Sequence, residues 1–160
     1  MAIDARSVSV LLEVLLKSLA PGCASLTISD REQNDDLIVE ILPKNQEAAR
    51  IRARVTRELV VLCFGRGAVF EIPEEGRYTG TAYLEEVRLL CSGVIAGKFE
   101  EIVTMVGSEV VGARAKVTLD TDDVASGVWR RMTLRLFRKT ENVHLTYAPY
   151  CATSQKRLER

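Results

Sequence analysis

Only one histidine occurs among the 160 residues, which excludes any metal centre built on several imidazoles and leaves His144 as the sole histidine available for acid–base chemistry. No Gly-x-Ser-x-Gly elbow accompanies it, so a Ser-His-Asp hydrolase lacks its nucleophile signature. By alternation His144 falls with Asn142 and Thr146 on the exposed side of a strand, an ordinary place for a solvated side chain. Excess charge of one sign is missing too: 22 basic and 22 acidic side chains leave a formal net charge of zero. A general polyanion-binding protein would carry a strong basic excess, so any electrostatic function must come from local asymmetry.

Long apolar runs are absent, and nothing approaches the roughly 18 to 20 residues of a membrane-spanning helix. The N-terminal apolar stretch ends in Leu-Ala-Pro-Gly-Cys, yet Asp4 stands where a basic region belongs, and Glu13 and Lys17 interrupt the run. A cleaved signal is therefore not expected. Cysteine is sparse, and Cys23, Cys63, Cys91 and Cys151 form no C-x-x-C pair. That spacing argues against a zinc site and against a disulfide scaffold. Cys63 and Cys91 fall in apolar patterns as reduced core residues, and together these points favour the cytoplasm.

Two further signatures fail on inspection. Asp120-Thr121-Asp122-Asp123 begins like a calcium loop, but Ala125 occupies the glycine position and Arg131 the bidentate glutamate position. Gly65-Arg66-Gly67 lacks the third glycine and the helix start of a dinucleotide fingerprint, and no Gly-Lys-Ser/Thr exists. No cofactor and no metal are expected.

The pattern that is present is architectural. Val8, Leu11, Leu12, Leu15, Leu16 and Leu19 recur at helical spacing after Asp4, a suitable N-cap, and Pro21-Gly22 ends the run. Alternation then predicts a hairpin from Leu26-Ile28 and Leu37-Val39-Ile41, turning at Glu32–Asp36. Arg50–Val55 alternates arginine with small or branched residues, a half-exposed strand. Leu59–Phe64 is apolar throughout, as in a strand covered on both faces, and Gly65-Arg66-Gly67 supplies a tight turn with positive φ before a short strand, Val69–Ile72.

Past the polar segment Pro73–Gly80, a second helix is predicted from Leu84, Val87, Leu90, Cys91, Val94 and Ile95, stopping at Gly97-Lys98. A long hairpin follows, with Ile102, Thr104 and Val106 leading through Gly107-Ser108 into Val111–Leu119. A loop over Asp120–Gly127 and a last hairpin of Met132-Leu134-Leu136 with Val143-Leu145-Tyr147 complete the pattern. The fold class is α+β, a mainly antiparallel sheet of about eight strands with two amphipathic helices on one face. We expect one domain over 1–150, in which the helix-then-strands form occurs at 4–72 and again at 81–147. A flexible basic tail is expected at 151–160.

Arginine gives the sharpest functional signal. Arg50, Arg52 and Arg54 share one strand face, and Arg131 and Arg135 share a parity with Trp129 and Phe137. Such side chains occur at protein-binding hot spots, and an open sheet edge accepts a partner strand. The expectation is a non-enzymatic module that binds a protein partner or itself, with Arg50, Arg52, Arg54, Trp129, Arg131, Arg135 and Phe137 as the surface. Single-stranded nucleic acid on a basic sheet face ranks second, and a small-ligand pocket or unrecognised enzyme third. Ordinary cross-strand pairing of these arginines with Glu40, Glu71 and Glu101 competes with all three. In general look the chain is similar to bacterial accessory and toxin-immunity-type proteins, a likeness that supplies no site residues.

Overall fold

Asp4 caps the first helix in the computed structural model of the protein, which describes residues 3–31, 36–130 and 139–151. Its carboxylate accepts from the backbone N–H groups of Arg6 at 3.1 Å and Ser7 at 3.2 Å, and α1 runs from Ala5 to Lys17. Val8 and Leu12 on its inner stripe have no exposed surface, while Val10 and Val14 on the outer side stay open to solvent.

Five strands then form an antiparallel meander: β1 (Ala24–Arg31), β2 (Asp36–Pro43), β3 (Ile51–Val55), β4 (Leu59–Phe64) and β5 (Ala68–Pro73). The predicted hairpin of β1 and β2 is present. Asp36, expected in its turn, is the first residue of β2, and residues 32–35 lie outside the described residues. In β3 the alternation works as expected: Ile51, Ala53 and Val55 point into the core and the arginines point out. β4 is covered on one face only. Val60, Leu62 and Phe64 are buried, whereas Leu59, Val61 and Cys63 are half-buried on the arginine side. An apolar run alone does not report double coverage, because side chains of the neighbouring strand can shield the second face partly.

The second helix, α2, spans Tyr83–Ile95 and ends in a Schellman turn, in which Lys98 N–H donates to Gly93 O and Gly97, at φ +73°, donates to Val94 O. Gly93 belongs to the packing. A Cβ there would lie 2.4 Å from Val117 Cγ1 and 2.9 Å from Thr118 O, so glycine lets the helix sit directly on a strand.

Four more strands make a second sheet in the order β8-β7-β6-β9: β6 (Phe99–Val106), β7 (Glu109–Thr118), β8 (Val124–Arg130) and β9 (Glu141–Thr146). The expected class is present, with two helices and nine antiparallel strands among the described residues, divided five and four between two sheets. Three details differ. The β6–β7 hairpin turns at Gly107-Ser108 as predicted, but Phe99, Glu101 and Val103 face inward and Ile102 outward; a bulge at Thr104/Met105 then returns Val106 to the inner face. Val124–Gly127 is strand, not loop, because the Phe70 ring lies against the backbone at Gly127, where a Cβ would come within 3.0 Å of it. β9 pairs with β6, and the expected partner Met132-Leu134-Leu136 lies outside the described residues.

β8 packs on β5, bringing the sheets together, and both helices cover the inner side. An aromatic chain crosses the junction, Tyr78–Phe70–Phe64–Phe99–Tyr147, with successive ring centroids 5.1 to 5.7 Å apart. Cys23 and Cys151 are joined by a disulfide, a pairing that the sparse cysteines had not suggested. Cys151, the first residue of the expected tail, is thus tied to the fold, and 152–160 lie outside the described residues. With this bond present, the cysteines no longer favour a reducing compartment. No helix among the described residues is long and apolar enough to cross a membrane.

Gly93→Ala gains about 1 kcal/mol of helix propensity and meets an overpacking cost of about 1–3 kcal/mol. A net loss of stability in urea unfolding is expected, and a gain would show that α2 does not press on β7 as described. For Asp4, the Ser7 hydroxyl and the helix N–H groups hold the carboxyl below its ordinary value. Its capping contribution is therefore present above pH 3.8 and fades as pH falls through the lowered value. Asp4→Ala should be less stable than wild type at pH 7, with the gap closing in acid, measured by thermal unfolding.

Candidate functional site

Cross-strand register decides which arginines are free to act. Arg52 stands opposite Glu40 and its Nε lies 3.2 Å from the carboxylate. Arg54 is diagonal to Asp36, whose Oδ2 receives Nε at 2.8 Å and Nη2 at 2.6 Å. Asp36 is only 6% exposed, so it keeps Arg54 as its counter-ion. Arg50 lies one pair beyond this ladder, beside the β4–β5 turn, where its carbonyl accepts from Gly65 N–H at 3.3 Å. Neither Arg50 nor Arg66, at the tip of that turn, forms an ion pair among the described residues.

The turn itself is held by a buried carboxylate. Glu101, 1% exposed on β6, accepts from the backbone N–H of Arg66 at 2.6 Å and from those of Gly67 and Ala68, each at 3.1 Å. The Tyr147 hydroxyl donates to the same carboxylate. Burial, and then this bond, push the Tyr147 phenol above its ordinary value, so it remains a donor. Gly65 makes the approach possible: its φ is +58°, and a Cβ would lie 2.4 Å from Glu101 Oε1. Of the two glycines expected to have positive φ, only Gly65 does.

The result is a groove of about 420 Å³ between the outer face of β3–β4 and the end of β8. Arg50, Arg52 and Arg66 line it with Cys63, Val110 and Trp129. Trp129 is half-buried and shares the inward parity of Ala125 and Gly127, so it walls the groove instead of lying on an open sheet face. Burial raises the Cys63 thiol above its ordinary value, although Arg52 and Arg50 pull it down.

Of the seven predicted surface residues, the structure brings together Arg50, Arg52 and Trp129. Arg54 belongs to a separate depression with Asp36 and Glu71. Arg131, Arg135 and Phe137 lie outside the described residues. Arg66 and Val110 were missed. Counting the β3–β4 hairpin register puts Gly65 next to Arg50 and so signals Arg66; nothing local signals Val110, which arrives from the other sheet. Glu101 was expected to pair with an arginine, yet its partners are backbone N–H groups and a tyrosine. His144 is exposed, 3.5 Å from Glu100 Oε2.

No family model, no curated protein and no solved structure matches this chain.

Replacing Glu101 tests the turn. In Glu101→Gln, one oxygen becomes an N–H donor facing donors, so a buried N–H loses its acceptor at a cost of about 2–3 kcal/mol. Glu101→Ala should cost more and Tyr147→Phe less. A smaller effect of Glu101→Ala than of Tyr147→Phe in urea denaturation would contradict the central role of the carboxylate.

Proposed function

We propose that the protein is a non-enzymatic binding module that docks an acidic segment of another protein in the groove of Arg50, Arg66 and Trp129. The observation that carries this reading is the division among the arginines: Arg52 and Arg54 are matched by Glu40 and Asp36, while Arg50 and Arg66 have no acidic partner among the described residues. Two guanidinium groups beside a half-buried indole and Val110 suit a carboxylate followed by an apolar or aromatic side chain. Guanidinium forks select planar carboxylates, and the apolar wall rewards a neighbouring side chain that a simple anion lacks.

Binding a single strand of nucleic acid calls for several stacking aromatics along a continuous basic track. Among the described residues Trp129 is the only half-exposed aromatic that lines the groove, Phe64 being buried, and two of the three arginines on that face, Arg52 and Arg54, are already neutralised. The protein-binding reading is therefore preferred. Self-association is its special case, with an acidic segment of a second copy in the groove.

Trp129 is the only tryptophan, so its fluorescence reports the groove directly. A synthetic peptide rich in Asp and Glu with one central Phe should change the emission saturably, and Arg50→Glu with Arg66→Glu should weaken it at least about tenfold, or ~1.4 kcal/mol. A peptide with Asn and Gln in place of the acids should not bind. Tighter binding of an oligonucleotide, with affinity falling steeply in salt, would replace this reading by the nucleic-acid one. Sedimentation of the wild type and the double variant separates self-association from a foreign partner.

A further inference from the structure

Residues 147–151 do not line the groove but bond residues that stand behind it, Glu101 and Ala49. On one side, the Tyr147 hydroxyl donates to Glu101, the carboxylate that holds the amides of Arg66, Gly67 and Ala68. On the other, the Tyr150 hydroxyl donates at 2.7 Å to the carbonyl of Ala49, the residue before Arg50. Arg50 and Arg66, which have no acidic partner among the described residues, are thus both positioned from this five-residue strap.

The strap is anchored along its whole length. Tyr147 N–H donates to Phe99 O, Ala148 N–H to Glu47 O at 3.0 Å, and Tyr150 N–H to Ile95 O at 3.0 Å. Asn45 Nδ2 donates to Pro149 O at 3.0 Å. Pro149 lies against Gly97, where a Cβ would come within 2.5 Å of its nitrogen. The far end is the Cys23–Cys151 disulfide, and both cysteines are half-buried, within reach of a reductant.

We infer that the Cys23–Cys151 disulfide is a redox latch, whose opening frees the strap and loosens the placement of Arg50 and Arg66 together. This rests on the groove being the binding site proposed above. Opening is thiol–disulfide exchange with a dithiol. One reductant thiolate attacks a cysteine sulfur and expels the other as thiolate, which takes a proton. The second reductant thiol then closes the reductant's own disulfide and releases the second cysteine. Two electrons pass to the protein, two cysteine thiols form, and the dithiol is oxidised.

Reshuffling does not compete well. Cys91 is fully buried with its thiol pushed up to about 12 by burial, and the Cys63 thiol is also raised, so neither readily supplies the attacking thiolate. The latch acts on a segment rather than the whole core: without the Tyr147 donor, Glu101 holds the three turn amides less firmly, while β3 and β4 keep their own ladder.

Hydrogen exchange on the full chain, oxidised and then reduced with dithiothreitol, tests the latch. Exchange at the amides of Arg66, Gly67 and Ala68 should rise about tenfold on reduction, with a smaller rise at the centres of β3 and β4, Ala53 and Leu62. The affinity of the acidic peptide should fall at least threefold, and oxidised Cys151→Ser should behave like the reduced wild type. A rise confined to Ala148 and Tyr150 would overturn the coupling to the groove. A uniform rise that includes Ala53 and Leu62 would overturn the latch as well, marking the bond as a staple of the entire fold. If the peptide binds in neither state while the three turn amides respond, the groove reading fails and the latch stands as a conformational device.

Discussion

A carboxylate taken out of water survives only where donors replace its hydration, and at Glu101 those donors come from another sheet. Its strand, β6, belongs to the four-stranded sheet, while the N–H groups of Arg66, Gly67 and Ala68 belong to the β4–β5 turn of the five-stranded one. Neither partner is satisfied unless the sheets come together in one relative placement. Apolar contacts between the sheets favour association, but they are non-directional; the charge-assisted bonds select the register.

The same device appears at the other end of β5. Glu86 on α2 has no exposed surface and gathers the backbone N–H groups of Arg77, Tyr78 and Thr79, together with the Thr79 hydroxyl. β5 is therefore held between two buried carboxylates, one per end, each closing a connection that carries few apolar side chains. This division of labour explains how a loop as polar as Pro73–Gly80 is ordered against the core.

Much of the fold was legible because it obeys short periods. Both helices, the arginine alternation of β3 and the turn at Gly107 followed from spacing alone. What escaped was set by contacts distant in sequence. Gly127 looks like a turn former, and only the Phe70 ring against it explains a glycine within a strand. Glu101 looks like a surface acid because alternation cannot see the turn that captures it, and the parity of β6 was inverted as a result. The candidate site divides in the same way. Arg50 and Arg52 follow from their strand, whereas the proximity of Arg66 needs hairpin register, and Trp129 with Val110 needs the packing of β8 and β7 against β5. Cys23 and Cys151, separated by 128 positions, have no local pattern that could pair them.

That separation bears on how the chain comes to be folded during synthesis. The segment from α1 through β5 pairs each strand with its neighbour in sequence, so the meander can assemble as it leaves the ribosome. The strap closes the structure by contacts across more than a hundred residues, including Tyr150 to Ala49 at a separation of 101. Those contacts wait for residues 147–151 to emerge. Until then the pocket for Tyr150 stands open among apolar neighbours, and a nascent chain stalled before that residue presents a surface for chaperones that the finished protein no longer shows.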